Sequence, residues 1–386
     1  MITLQTADKA LKNFYLDAIT KEIDTKVSPF LSKIEKTSAN VVGKGVSKVI
    51  RLGMNGGISA GSETGALPES GDNDYITLNT TLKNLYGTIE ISDKALRASA
   101  TDEGAFVNIL NEEMDALVKS AKFNFSRMLF GSGNGIIANI ASVGSDSYMV
   151  TSLKGFIEGM FVDFWKNGVK THSRLKVTSV NRETSRITVE GRDFLEKAAP
   201  DPGTEVRLCG CEAEHELTGL GALFSQNDIY GVDRSKSYMK PYIKSNVGQI
   251  DETVLQMALD AIEESSGSKV NMIICSWTVR RALTEILKEK QLVLSMMDMG
   301  DNQTVLAYNG IPIVVDRFCP EGTMYLLNTD DFKLCQLCDW QWMEGEDGKI
   351  LKQIAGKPVY TATLVKSAEL LCTKPCGQGI LQGIIA

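Results

Sequence analysis

Between Glu103 and Leu129, seven apolar side chains recur at helical spacing. Phe106, Leu110, Met114, Leu117, Ala121, Phe125 and Met128 are separated by 4, 4, 3, 4, 4 and 3 residues. This period predicts one uninterrupted helix with a single buried stripe. Ser99 or Thr101 can cap its start, and the run Gly131-Ser132-Gly133-Asn134-Gly135 stops it. At 1.5 Å per residue such a helix is about 40 Å long, far beyond the roughly three turns usual in globular domains. A small layered domain cannot cover it along its whole length. It reads as the spine of an extended domain, and other parts of the chain must supply strands to cover its apolar side.

A second constraint precedes it. Residues 53–74, GMNGGISAGSETGALPESGDND, hold six Gly and one Pro in 22 positions and no Lys or Arg. Strand-like sequence flanks them: SKVIRL enters, and YITLNTTLKNLYGTIEIS leaves with Leu85, Gly87, Ile89 and Ile91 alternating against Tyr86, Thr88, Glu90 and Ser92. The pattern predicts a long antiparallel hairpin with a wide, soft tip. Its strands carry many Thr and Asn, and a free hairpin of that kind is marginal in water. Its order is expected to come from outside its own domain. The tip lacks a Lys and a following helix, so it does not suit phosphate. Its acids Glu63, Glu69, Asp72 and Asp74 miss the spacing of a known calcium loop.

The rest of the 386 residues divides by pattern. Residues 7–23 place Leu11, Phe14, Tyr15, Ala18 and Ile19 on one helical stripe, and Ser28-Pro29 interrupts, so 1–46 reads as an arm. The hairpin takes 47–92 and the spine helix lies in 93–149. Residues 150–216 change character: RLKVTSVNRETSRITVEG and GTEVRLCGC are short strands with charged turns, the mark of a small barrel or sandwich. Its basic side chains (Lys166, Lys170, Arg174, Lys176, Arg182, Arg186, Arg192) fit a solvated strand face better than a nucleic-acid patch. Residues 217–322 alternate in the α/β manner. One helix follows Asp251 with Val254, Met257, Ala258, Ala261 and Ile262 inward, KVNMIIC is a buried strand, and a helix capped by Ser276 carries Val279, Leu283, Ile286 and Leu287. A hairpin then turns on Asn309-Gly310. In 323–386, TMYLLNTDDFKLC and VYTATLVKSAELLC predict two strands that close a sheet against the spine helix.

Several chemistries are excluded or disfavoured. A formal net charge of −7 gives no support for a dedicated nucleic-acid binder. No run of about 18 apolar residues exists, and the N-terminus lacks the pattern of a secretory signal. Of eight cysteines, Cys335-x-x-Cys338 and Cys372-x-x-x-Cys376 resemble two halves of a four-thiolate zinc site, but their loose spacing favours free buried thiols. The two histidines are His172 and His215, and the Cys209, Cys211, Glu212, Glu214 and Glu216 around His215 match no catalytic or ligand spacing, so a polar turn is expected there. The glycines at 131–135 follow a helix instead of opening one, and SGSK at 266–269 lacks the phosphate-loop pattern. The expectation is no catalytic residue, no cofactor and no metal. An enzyme with a Cys-based metal site is the reading left from a different class.

The order of parts, arm, glycine-rich hairpin, spine helix, α/β domain and returning strands, resembles the major capsid protein of tailed double-stranded DNA bacteriophages, whose fold encapsulin compartments share. Local phrases carry the resemblance: IDTKVSPFLSKI at 23–34, GGISAGSETGALPESG at 56–71, ELTGLGALFS at 216–225, YGVDRS at 230–235, NGIPIVVD at 309–316 and MYLLNTDDFKL at 324–334. It covers about 1–135 and 217–386, and 150–216 looks like an inserted all-β accessory domain. The fold class it implies is α+β, the tailed-phage capsid fold with an extended β-hairpin loop, a peripheral domain built on the spine helix and an axial α/β domain.

The resemblance further implies that the hairpin lies across a neighbouring copy. The assembly contacts are then expected at the tip, from Gly53, Gly56, Gly57, Ile58, Glu63, Leu67 and Pro68. The implied partners are the chain itself, as pentamers and hexamers of an icosahedral shell, a scaffolding protein and a portal, with a decoration protein as a further candidate for the inserted domain. Contact with packaged DNA is expected to be weak and non-specific, and no membrane is involved. The implied location is the virion, after assembly in the bacterial cytoplasm. An encapsulin-type shell is the alternative. Some relatives weld subunits through a Lys on the extended loop. No Lys lies between Leu52 and Leu82, so no such crosslink is expected from this loop, and a denaturing gel of particles should show no covalent ladder. Because the sequence starts directly at its arm, a separate scaffold, or a pre-sequence not included in it, is expected.

Overall fold

The structure, a computed structural model, describes residues 28–385 except 54, 56, 68, 95–102, 145–146, 194–198, 226–227, 290–294, 299–303 and 346–347. The helix expected over 7–23 and the caps at Ser99 or Thr101 lie outside the described residues, as do Gly56 and Pro68 of the tip.

The spine helix spans Glu103–Leu129 in one piece. Of its predicted stripe, Met114, Phe125 and Met128 are buried, and Leu117 and Ala121 are half-buried. The last turn is buried on every side, since Phe123, Ser126, Arg127 and Leu129 are also covered. Against it lies a sheet in which Phe332–Trp342 pairs antiparallel with Val359–Cys372. Lys83–Ser92 adds to the other side of Val359–Cys372 through ten registered pairs, from Ser92↔Val359 to Lys83↔Ala368. Glu35–Thr37 lines the far edge in parallel.

The segment leaving the glycine-rich tip is therefore not one strand. Asp74–Thr81 pairs with Gly45–Leu52 in the expected hairpin, the chain turns at Leu82, and Lys83–Ser92 belongs to the sheet beside the spine helix. At the turn, Leu82 donates its N–H to Lys44 O (3.0 Å). The hairpin ends before Lys83, short of the expected 92, because Leu85, Ile89 and Ile91 have an apolar sheet partner to bury against.

Six strands then close a barrel in the order Arg186–Glu190, Tyr148–Val150, Ile136–Val143, Glu205–Leu208, Phe161–Lys166 and Val169–Asn181. The barrel starts at Ile136, so the boundary expected at 150 falls inside it. The strand Ile136–Val143 supplies Ala138 and Ile140 to a separate interior with Phe156, Val162, Phe164, Leu175, Val177, Ile187 and Val206.

The α/β part is a seven-stranded mixed sheet: Tyr242–Lys244, Gly379–Leu381, Met324–Leu327, Met272–Cys275, Ile311–Val315, Thr304–Tyr308 and Ser295–Asp298. Helix Glu252–Ser266 starts where the Asp251 carboxylate accepts Glu252 N–H and ends at Gly267 in the left-handed region (φ 65°). Its buried face is Leu255, Ala258 and Ile262. Met257, expected inward, faces solvent, because both stripes are apolar and the sheet selects the one with Leu255. Helix Trp277–Glu289 buries Val279 and Leu283, with Ser276 Oγ accepting Val279 N–H at 3.4 Å. The hairpin on Asn309-Gly310 forms as expected, with both residues at positive φ. TMYLLNTDDFKLC splits between two sheets. Met324–Leu327 joins the α/β sheet, and a turn capped by the Asn328 side chain delivers Phe332 to the sheet beside the spine.

Candidate assembly surface

The hairpin is fixed at its base and unsupported at its tip. Val46 and Leu78 are buried where the hairpin meets the main core, and Asn79 donates its N–H to Tyr230 O (2.9 Å). Pairing runs to Leu52↔Asp74 and then ceases. Beyond it Gly53 sits at φ 64°, and the tip is held by small local bonds, with Gly57 N–H donating to Asn55 Oδ1 (2.8 Å) and Gly65 N–H to Ser62 O (3.1 Å). A Cβ on Gly57 would stand 3.1 Å from Gly71 N and 3.3 Å from Glu69 O, so the two sides of the tip approach where only glycine fits comfortably. Ile58 and Leu67 are each 90% exposed, and Glu63 lies between them in sequence, also exposed. Both large aliphatic side chains therefore stand in water on a segment that has no core of its own.

Behind the hairpin, three polar clusters fix how the parts meet, and none was singled out from sequence. Arg127, in the last turn of the spine helix, donates to both carboxylate oxygens of Glu216 (Nη1 to Oε2, 2.9 Å; Nη2 to Oε1), with both side chains buried. Glu216 was expected in a polar turn. Residues 212–215 are exposed, as such a turn requires, but the chain plunges inward at Glu216. Next to it, Gly219 crosses the end of the spine helix, and a Cβ there would lie 2.3 Å from Met128 O and 2.6 Å from Leu129 O. The glycines of ELTGLGALFS thus let the connector lie directly on the helix's last carbonyls.

The second cluster centres on Glu369, which is fully buried. Its carboxyl accepts Thr218 N–H (2.8 Å), Leu370 N–H (2.9 Å) and the Thr218 hydroxyl (3.3 Å). Burial pushes its pKa up to about 7, against the pull of these donors and of Lys83. The third is Lys366, buried between the rings of Phe125 and Trp340 (5.6 and 5.7 Å), with its ammonium donating to Asp339 Oδ1 and Gln336 Oε1 (3.0 Å). The available signal was a Lys and a Glu inside the otherwise apolar strand VYTATLVKSAELLC, since charges in such a strand are kept only when partnered.

A cleft of about 750 Å³ opens between Lys83–Gly87, the spine helix and the barrel exit at Cys209–Glu216. His215 is on its exposed rim, and burial raises the Cys211 thiol to about 12. Cys335 lies across from Glu369 and Cys338 across from Ser367, while Cys372 opposes Phe332, so the four cysteines of the imagined zinc site do not converge. Among the described residues no group of three or more metal-ligating side chains is close enough to hold an ion, and no helix is long and apolar enough to cross a membrane.

No protein-family model and no curated protein matches the chain by sequence. Its fold does have counterparts. A subunit of the cyanophage A-1(L) capsid aligns over 91% of this chain and 90% of its own length, with a TM-score of 0.51 at 11% identity. A satellite phage P4 procapsid protein (96% and 98% covered, 10% identity, TM-score 0.48) and the encapsulin of the holo-SrpI complex from Synechococcus elongatus (93% and 89%, 10%, 0.47) fall slightly lower. At such identities the first match establishes the fold alone. The chain has the α+β major capsid fold of tailed phages.

Proposed function

We propose that the chain is the major capsid protein of a tailed phage or prophage, a structural subunit that assembles as pentamers and hexamers into an icosahedral shell around double-stranded DNA. The observation that carries this reading is the hairpin. A capsid-type fold presents a tip with Ile58 and Leu67 fully in water, acids but no cations, and no core of its own. Such a surface finds its energy on another copy, and head-to-tail contacts of this kind close into rings when the rotation closes. Gly53, Gly56 and Gly57 then let the backbone follow the neighbour, Glu63 and Pro68 belong to the same contact, and Ile58 and Leu67 anchor it. A scaffolding protein and a portal complete the assembly, and the barrel, with a core of its own, is the place for a decoration protein. The role is structural, with no catalytic step.

Electron microscopy of purified protein across salt and crowding conditions tests this. Rings, sheets or shells are expected, and particles from phage lysates should protect DNA from nuclease. A strict monomer under every condition overturns the reading. Closed shells that hold a protein cargo in place of DNA would move it to the encapsulin class.

A further inference from the structure

A groove of about 370 Å³ opens where the later turns of the spine helix meet the start of helix Trp277–Glu289 and residues 315–318. It is aromatic and basic. Phe123 and Phe318 meet edge to face at 5.2 Å, and Arg317 lies over both rings (5.0 and 5.8 Å). Lys122 adds a second cation to the wall. At the mouth Arg280 lies over the ring of Trp277 at 5.5 Å, and that Trp leaves 53% of its surface in water. Partial burial lowers the Arg317 pKa, and the like charge of Arg182 lowers it further.

The acids beside the groove do not offset these cations. Asp316 is buried, and its carboxyl accepts the Ser28 hydroxyl and Phe318 N–H, both at 2.9 Å. Glu321 pairs with Lys154 (2.7 Å) and accepts the Thr278 hydroxyl. Neither Arg280 nor Arg317 has a carboxylate partner among the described residues.

The hairpin tip carries the complement. Residues 53–74 hold Glu63, Glu69, Asp72 and Asp74 and no Lys or Arg, and all four acids are exposed beside Ile58 and Leu67. No residue of 45–81 lines the groove, so the tip does not fill the groove of its own subunit. Eight registered pairs, from Gly45↔Thr81 to Leu52↔Asp74, carry it outward, a projection of roughly 25 Å at strand rise. Trp and Arg are the side chains that most often anchor an interface, and charge complementarity fixes partner and register.

We propose that the hairpin tip of one subunit docks in this groove on a second copy, with Ile58 and Leu67 against Trp277 and Phe318 and the tip acids against Lys122, Arg280 and Arg317. This contact rests on the shell reading and supplies the receiving surface for the tip. Tip and groove are different patches, so the contact runs head to tail and builds rings or lattices in place of a two-fold pair.

Charge reversal on the full-length chain tests it, read by light scattering as the critical concentration for assembly. Arg280→Glu with Arg317→Glu in the groove, and Glu63→Lys with Glu69→Lys at the tip, should each raise that concentration by about ten-fold or more. A chain carrying all four reversals should return to within about three-fold of the parent, because the charges match again. All four side chains are exposed, so denaturant midpoints of the unassembled subunits should stay with the parent's. A groove variant that assembles at the parent's concentration, or a four-fold variant worse than either pair alone, overturns the contact and leaves the shell reading standing. A parent that stays monomeric under every condition overturns both.

Discussion

Glu369→Gln isolates one carboxyl whose environment can be converted into a pH dependence. Glu369 has no exposed surface, and burial raises its pKa from 4.5 to about 7. Between these values the unfolded chain has released the proton and the folded chain still holds it. The folded state then binds more protons, so the unfolding free energy falls as pH rises, and the full penalty is present above pH 7. A shift of about 2.5 units at 1.36 kcal/mol each is about 3 kcal/mol. Gln preserves the acceptor for Thr218 N–H and Leu370 N–H and offers its amide to the Thr218 hydroxyl, so at pH 4.5 the two proteins should be nearly equal in stability. Denaturant unfolding of unassembled subunits at intervals from pH 4.5 to 8 reads the difference. The variant should gain on the parent by about 3 kcal/mol across that range, most of it between pH 5 and 7. Asp331, raised by burial to about 6, tilts both curves alike and cancels. A constant offset between parallel curves would refute the reasoning, since it would mean that Glu369 does not titrate in this window.

Further substitutions test other joints. Ile58→Ser and Leu67→Ser should leave subunit stability within about 0.5 kcal/mol, yet raise the critical concentration for assembly measured by light scattering, since each removes roughly 1.5–3 kcal/mol of burial at a formed contact. Unchanged assembly would remove the tip from the interface. Arg127→Met strands the buried Glu216 carboxylate and should cost about 3–5 kcal/mol by thermal or denaturant unfolding, whereas Arg127→Met with Glu216→Leu should recover most of it. Gly219→Ala drives a methyl to within 2.3 Å of Met128 O and should cost about 1–3 kcal/mol or more. A neutral result would mean the connector shifts off the helix end freely.

How much was legible differs from joint to joint, for physical reasons. The spine helix, the Asn309-Gly310 hairpin and the buried strand Met272–Cys275 are local events, set by period or by turn chemistry within a few residues. They were readable because no distant partner is needed to define them. The errors all concern partners. Nothing within YITLNTTLKNLYGTIEIS marks Leu82 as the place where the chain leaves one sheet for another, because both halves have strand character and only the remote Val359–Cys372 claims the second. The same holds at Asn328, where one strand-like run serves two sheets. Met257 and Leu255 are both apolar, and only the sheet beneath decides between them.

The polar clusters follow the same rule, and they bear on how the candidate surface works. Arg127 with Glu216, Glu369 with Thr218, and Lys366 with Asp339 join residues 27 to 151 positions apart. Each sits where the spine helix, the connector and the returning strands converge, and each costs stability unless its partner is present. Their shared effect is to make the junction right or absent, with little room for intermediate packings. The hairpin takes its direction from this junction, since Lys83–Ser92 is sheeted to the strand that carries Lys366 and Glu369. If the tip meets a neighbour as proposed, its glycines let it adapt, and a base held in one register would deliver Ile58 and Leu67 to the same place in every copy. On that proposal the soft tip and the fixed base act together, and the base is invisible to sequence patterns that look only at neighbours along the chain.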